Sequence, residues 1–139
     1  MIVLDTNVIS ELMKPKPAEA VLEWVNRQDA AQLFATTVSI GEIEYGLQVL
    51  PAGERRRRLE ERFARVVDTA FANRLLVFDL AAAHLYGHVM AERRDQGRPM
   101  GVADGQIAAI ARSAGFTIAT GNARDFEDAG VDVVDPFNP

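Results

Sequence analysis

Five short runs rich in apolar and β-branched residues recur along the chain, at residues 1–4, 33–36, 75–78, 116–120 and 131–134, with stretches of helical spacing between them. Few folds accept that alternation. A strand that leads through a helix into the next strand must cross over, so neighbours pair in parallel and helices cover both faces of the sheet. The helical stretches Ala18 to Arg27, Ile40 to Leu50, Arg55 to Ala70, Ala81 to Arg94 and Val102 to Ala114 are long enough for such crossovers. Lys14, Pro15, Lys16 and Pro17 interrupt what would otherwise be one helix. The expectation is an α/β fold with a mostly parallel central sheet of about five strands. No repeat, low-complexity tract or linker divides residues 1–139, and 48% hydrophobic content is ample for one core, so a single domain is expected.

Composition excludes several classes of function. With no cysteine there is no disulfide, thiolate nucleophile or zinc–thiolate site. The formal net charge of -5 argues against a general nucleic-acid coat, though not against an enzyme that holds nucleic acid in one groove. Met1 leads straight into Ile2, Val3, Leu4 and Asp5, without the pattern of a signal peptide or a membrane span, so a cytoplasmic location and no membrane contact are expected.

Three acids stand out by position. Asp5 follows the first strand directly, and in a parallel α/β sheet ligands bind beyond the carboxyl ends of strands. Asp5 also suits the N-cap of the helix that begins at Thr6, so both roles are open. Ser39 and Glu42 have capping-box spacing, while Glu42 also lies beside two apolar stripes, Ile40, Ile43 and Leu47 on one side and Tyr45 and Val49 on the other. Asp104 precedes Ile107, Ala108 and Ala111 by three, four and seven residues, on the stripe that should face the sheet. An acid aimed inward is explained by capping or by a cation shared with Asp5. Carboxylates gathered closely raise one another's pKa, and a hard divalent cation relieves that repulsion. A fourth group is expected after the 116–120 run, where Asn122 and Asp125 again have capping spacing.

The segments Leu4-Asp5-Thr6-Asn7-Val8, Ser39-Ile40-Gly41-Glu42-Ile43-Glu44-Tyr45-Gly46, Ala103-Asp104-Gly105-Gln106-Ile107-Ala108-Ala109 and Thr120-Gly121-Asn122-Ala123-Arg124-Asp125-Phe126, closing on Pro136, stand in this order over essentially the whole chain. Together they resemble the PIN-domain nucleases, and within them the VapC toxins and the FitB-like group. The resemblance implies a three-layer α/β/α sandwich and a metal-dependent endoribonuclease, the toxin half of a type II toxin–antitoxin pair. It implies Asp5, Glu42 and Asp104 as the acidic site, with Asp5 and Asp104 as the pair that binds Mg²⁺ or, in its place, Mn²⁺. It also implies a cognate antitoxin protein whose tail covers the site, an RNA substrate, and a homodimer. The family often has an acid where this chain has Asn122, so Asn122 or Asp125 supplies the fourth group. Thr6 and Thr120 are candidate auxiliary residues through their hydroxyls.

Phosphate-binding charge is expected from Arg93, Arg94 and Arg98, just before the Asp104 helix. The denser run Arg55 to Arg58 has Glu54 and Arg58, then Glu61 and Arg65, at i,i+4 spacing, as on a solvated helix face. His84 and His88 share a helix face without the intervening Glu of a metalloprotease, and Trp24 reads as packing. Two other aspartate-and-magnesium classes fit worse. The only lysines, Lys14 and Lys16, stand too early for a phospho-acceptor receiver, and Asn7 occupies the place of a phosphatase's second Asp. A noncatalytic α/β binding module is the alternative from a different class.

Overall fold

The computed structural model describes residues Met1–Pro139. Five strands form one sheet: β1 (Ile2–Leu4), β2 (Leu33–Thr36), β3 (Leu75–Leu76), β4 (Thr117–Ala119) and β5 (Val133–Val134). Six helices connect them: α1 (Thr6–Leu12), α2 (Glu19–Asn26), α3 (Thr37–Gln48), α4 (Glu54–Arg65), α5 (Leu80–Asp95) and α6 (Val102–Ala114). All strand pairs are parallel, in the order β3-β2-β1-β4-β5, with Val3 opposite Phe34 on one side and Ile118 on the other. The expected mostly parallel sheet is therefore wholly parallel.

Successive strand residues point to opposite faces, and the core divides accordingly. Leu4 packs with Val8, Ile9, Val21 and Trp24 in one layer, whereas Val3 packs with Val89, Ile107, Ala108 and Ile118 in the other. These are the three layers of an α/β/α sandwich. Trp24 lies in the core as expected. Gly105 faces α5, where an added Cβ would lie 2.5 Å from the Met90 Sδ and make that side chain shift. No helix is long and apolar enough to cross a membrane.

The strand order fixes where a ligand site can form. From β1 the chain steps outward to β2 and β3, then returns to place β4 on the other side of β1. The connections leaving β1 and β4 therefore diverge, and the crevice beyond their carboxyl ends is the topological switch point where such sheets bind ligands. Asp5 and Thr120 are the first residues past those two strands.

Two expected capping boxes are absent. Helix α3 begins at Thr37, and Thr36 is its N-cap, with the Ser39 amide donating to the Thr36 Oγ1 at 3.1 Å. Pairing with Leu76 holds Thr36 extended, at φ -111° and ψ 153°, so the strand end and the cap are the same residue. Ser39 thus falls inside the helix, and Glu42 is not its reciprocal partner. Asn122 likewise makes no side-chain cap for the 3-10 turn Ala123–Phe126.

Candidate active site

Asp5 is the centre of the site. Its carboxylate is 3% exposed and accepts from the Thr6 amide (2.8 Å), the Thr120 hydroxyl (2.8 Å) and the Asn7 Nδ2 (3.1 Å). It caps α1 through the Thr6 amide, and capping uses only one of its oxygens, so it does not preclude a second role. A carboxylate offers about four lone-pair directions, and three donors leave one for a further ligand. Burial, followed by the charge of Glu42, pushes its pKa up, against the three donors that pull it down.

Thr6 and Thr120 both join the hydrogen-bond network around Asp5 and Glu42. The Thr6 Oγ1 lies 2.7 Å from the Glu42 Oε1 and 2.9 Å from the Ser39 Oγ. A carboxylate only accepts, so the Thr6 proton goes to Glu42 and the Ser39 hydroxyl donates to Thr6. The Thr120 Oγ1 accepts from the Asn7 Nδ2 at 3.1 Å and from the Asn122 amide at 3.0 Å. Glu42 itself is exposed, because the stripe containing Tyr45 and Val49, at 71% and 62% exposure, is uncovered.

Asp104 lies in the first turn of α6, half-buried, and makes no hydrogen bond. Gly101 holds the N-cap position, and no side chain caps the helix, so capping does not explain this acid. Its pKa is pushed up to about 6, first by burial and then by the charges of Asp5, Asp125 and Glu42, with Arg93 opposing them. Three carboxylates from three other chain segments thus act on Asp104. Asp125 contributes its charge here, while Asn122 contributes its amide to Thr120 and no charge.

The donor set suits a hard divalent cation, being all oxygen and short of positive charge. No three of the acidic groups converge in ready coordinating geometry. Asp104, with no hydrogen bond to hold it, is free to turn toward an ion.

Arg93, Arg94 and Arg98 are placed unequally. Arg93 is buried, and its guanidinium donates to the carbonyls of Arg98 (2.8 Å), Asp125 (2.8 Å) and Glu127 (3.0 Å), fixing the loop that carries Asp125. Arg98 is paired with Glu127 and Asp128, and Arg94 is exposed beside Asp95. His84 and His88 are exposed and far along α5 from these acids in sequence.

Sequence reasoning missed two residues. Asn7 bridges Asp5 and Thr120 and also accepts from the Gly121 amide at 2.9 Å, tying β1 to the loop after β4. Its signal was a polar side chain in the first turn of a helix at the switch point. Ser39 is fully buried against Thr6, and its capping spacing masked that role.

Comparison with known proteins agrees with this geometry. The PIN domain family model matches residues 2–131. The VapC ribonuclease Y4jK of Sinorhizobium fredii is 44% identical over 139 residues, covering all of this chain and 99% of its own length. The toxin FitB of Neisseria gonorrhoeae is 33% identical over 138 residues, 99% of either chain. The crystal structure of FitAcB from Neisseria gonorrhoeae superposes with a TM-score of 0.92 at 33% identity, covering 100% of both chains. With its parallel sheet, its acids at the switch point and relatives matched from end to end, this chain belongs to the PIN domain family, among the VapC ribonucleases and FitB toxins.

Proposed function

We propose that residues 1–139 work as one domain, a metal-dependent endoribonuclease that is the cytoplasmic toxin of a toxin–antitoxin pair. The observation that carries the reading is Asp104, an unbonded, half-buried acid whose pKa is raised to about 6 by burial and then by Asp5, Asp125 and Glu42. A structural acid would be capping or ion-paired; this one is neither. Relatives named ribonuclease and toxin supply the substrate class and the biological role.

PIN-domain VapC nucleases generally depend on a divalent metal, and Asp5 and Asp104 are the residues that would hold it, with Mg²⁺ as the expected ion and Mn²⁺ as a substitute. When bound, the ion supplies Lewis acidity for the scissile phosphate and lowers the pKa of a water molecule. The chain's own residues do the rest. Asn7 and Thr120 fix one Asp5 oxygen by donating to it, which leaves the carboxylate a single orientation. Thr6 holds Glu42 through a 2.7 Å bond to one oxygen, which leaves the other to orient the attacking water and take its proton. Arg93, by clamping two carbonyls of the Asp125 loop, keeps the fourth acid beside Asp104, and Asn122 steadies Thr120 through its amide.

The test is cleavage of a panel of structured RNAs by purified protein with Mg²⁺ or Mn²⁺, and its loss with chelator. Cleavage that survives chelation, or a protein that binds partners but cuts no RNA in either ion, would replace this reading with that of a noncatalytic module.

A further inference from the structure

The largest concavity is a groove of about 540 Å³ between α1, α3 and α4. One wall is formed by Thr6 and Glu42, so it opens directly out of the acidic site. At its far side stand Lys14, Arg55, Arg58 and Arg62, against which Glu42 and Glu54 are the only acids in the lining. In a chain of net charge -5, this is a locally positive channel ending at a negative site.

Helix α4 sorts its arginines by face. Arg55, Arg58, Leu59 and Arg62 follow one another at i, i+3, i+4 and i+7 and all line the groove. Arg56 and Arg57 turn away and are satisfied by Glu60 and Glu61. Of the groove-facing cations, Lys14 is paired with Glu11 and Arg62 donates to the Met13 carbonyl, while two are freer. Arg55 has no carboxylate within ion-pair distance, and Arg58 engages Glu54 through Nε at 3.1 Å, leaving both terminal nitrogens to donate elsewhere. On the opposite approach, by contrast, Arg93 and Arg98 are already committed to carbonyls and carboxylates.

We propose that this groove holds the single-stranded RNA flank leading to the scissile phosphate, with Arg55 and Arg58 on its phosphates and Leu59 and Ile43 beneath a base. The inference rests on the ribonuclease reading above and assigns the substrate's path at that site. Continuity with Glu42 favours RNA over a separate acidic peptide, because a strand whose phosphate sits at the acids must leave along a neighbouring channel. The face from Arg55 to Arg62 spans seven residues, about 10 Å of helix, enough to follow two or three nucleotides.

The test uses the full chain with a single-stranded RNA that the wild type cleaves. The Arg55→Gln/Arg58→Gln double variant is compared with Arg56→Gln/Arg57→Gln, which removes equal charge from the outer face, and with Arg94→Gln/Arg98→Gln. Thermal melts verify that each variant is folded. Each lost single-strand phosphate contact flattens the log–log salt dependence of binding by about 0.7, so the first variant should lose about 1.4 in slope and raise KM about tenfold at physiological salt. The loss should fall on KM rather than kcat, and the outer-face variant should keep the wild-type slope. The assignment is overturned by a wild-type slope and KM in Arg55→Gln/Arg58→Gln, by an equal loss in the outer-face pair, or by a loss confined to Arg94→Gln/Arg98→Gln. It is also overturned if the first variant binds RNA normally but loses affinity for an acidic peptide. A wild type that neither binds nor cuts RNA would instead remove the ribonuclease reading, and this path with it.

Discussion

Asp104 shows how a single side chain can carry opposite contributions to stability and function. Its folded pKa of about 6 lies above the unfolded value of 3.8, so the native state holds the proton more tightly. The stabilisation is complete below about pH 4 and is lost as pH rises through about 6. Asp5, also raised, adds to the same trend. Without divalent ions the melting temperature should therefore fall from pH 4 to pH 6.5. Asp104→Asn should flatten that fall and leave the protein at least as stable at pH 7, while abolishing cleavage; an unchanged pH profile would show that Asp104 does not feel its neighbours. The gain is on the order of 1 kcal/mol, since solvent reaches the half-exposed carboxylate and screens it. Arg93 behaves in the opposite way. Arg93→Gln should cost about 2–4 kcal/mol in urea denaturation, because it removes a buried charge and strips donors from three carbonyls. This role could not be read from sequence, because two of the carbonyls lie more than 30 residues further on and burial at a helix end leaves no periodic trace.

At the scale of elements, the strands were legible because each is a compact apolar run, and all five are found where hydrophobic patterning puts them. Their parallel direction was legible too, through the crossover rule, whereas the order that sets β4 beside β1 was not. Helix starts were less so. Ser39 and Glu42 match the spacing of a capping box, yet the cap belongs to Thr36, because pairing with β3 keeps the chain extended through that residue and turns it into helix immediately afterwards. Spacing reports compatible residues; the end of the sheet ladder decides which one is used. Thr36→Ala should therefore cost about 1–2 kcal/mol and exceed the cost of Ser39→Ala, which leaves the cap in place. The reverse ranking in chemical denaturation would return the cap to Ser39. Of the site, the acids were visible as polar breaks in apolar patterns. Asn7 was not, since two of its three partners, Thr120 and Gly121, lie just after β4, a contact that only the assembled sheet creates.

For the whole molecule, the order β3-β2-β1-β4-β5 makes β1 the central strand and brings residues a hundred positions apart to one crevice. Asp5 and Asp104, both raised in pKa there, oppose folding when ionised unless a cation or a proton neutralises them, so ion binding and stability are linked. An ion that binds only the native state adds RT ln(1 + [L]/Kd), about 2.7 kcal/mol at a hundredfold excess over Kd. Protons compete for the same oxygens. Below pH 6 Asp104 is largely protonated, and an ion must displace that proton; above pH 6 the carboxylate is free and repelled by its neighbours. The rise in melting temperature on adding Mg²⁺ or Mn²⁺ should therefore be small at pH 5, grow through pH 6 and level off near pH 7.5. Chelator should reverse it, and Asp104→Asn should remove most of it at every pH. Salt at matched ionic strength separates this from general screening, which would act on the many exposed ion pairs of α4 as well. A divalent-ion shift of the same size at pH 5 and pH 7.5, or one retained in Asp104→Asn, would place the ion away from these acids and leave Asp104 without the role assigned to it.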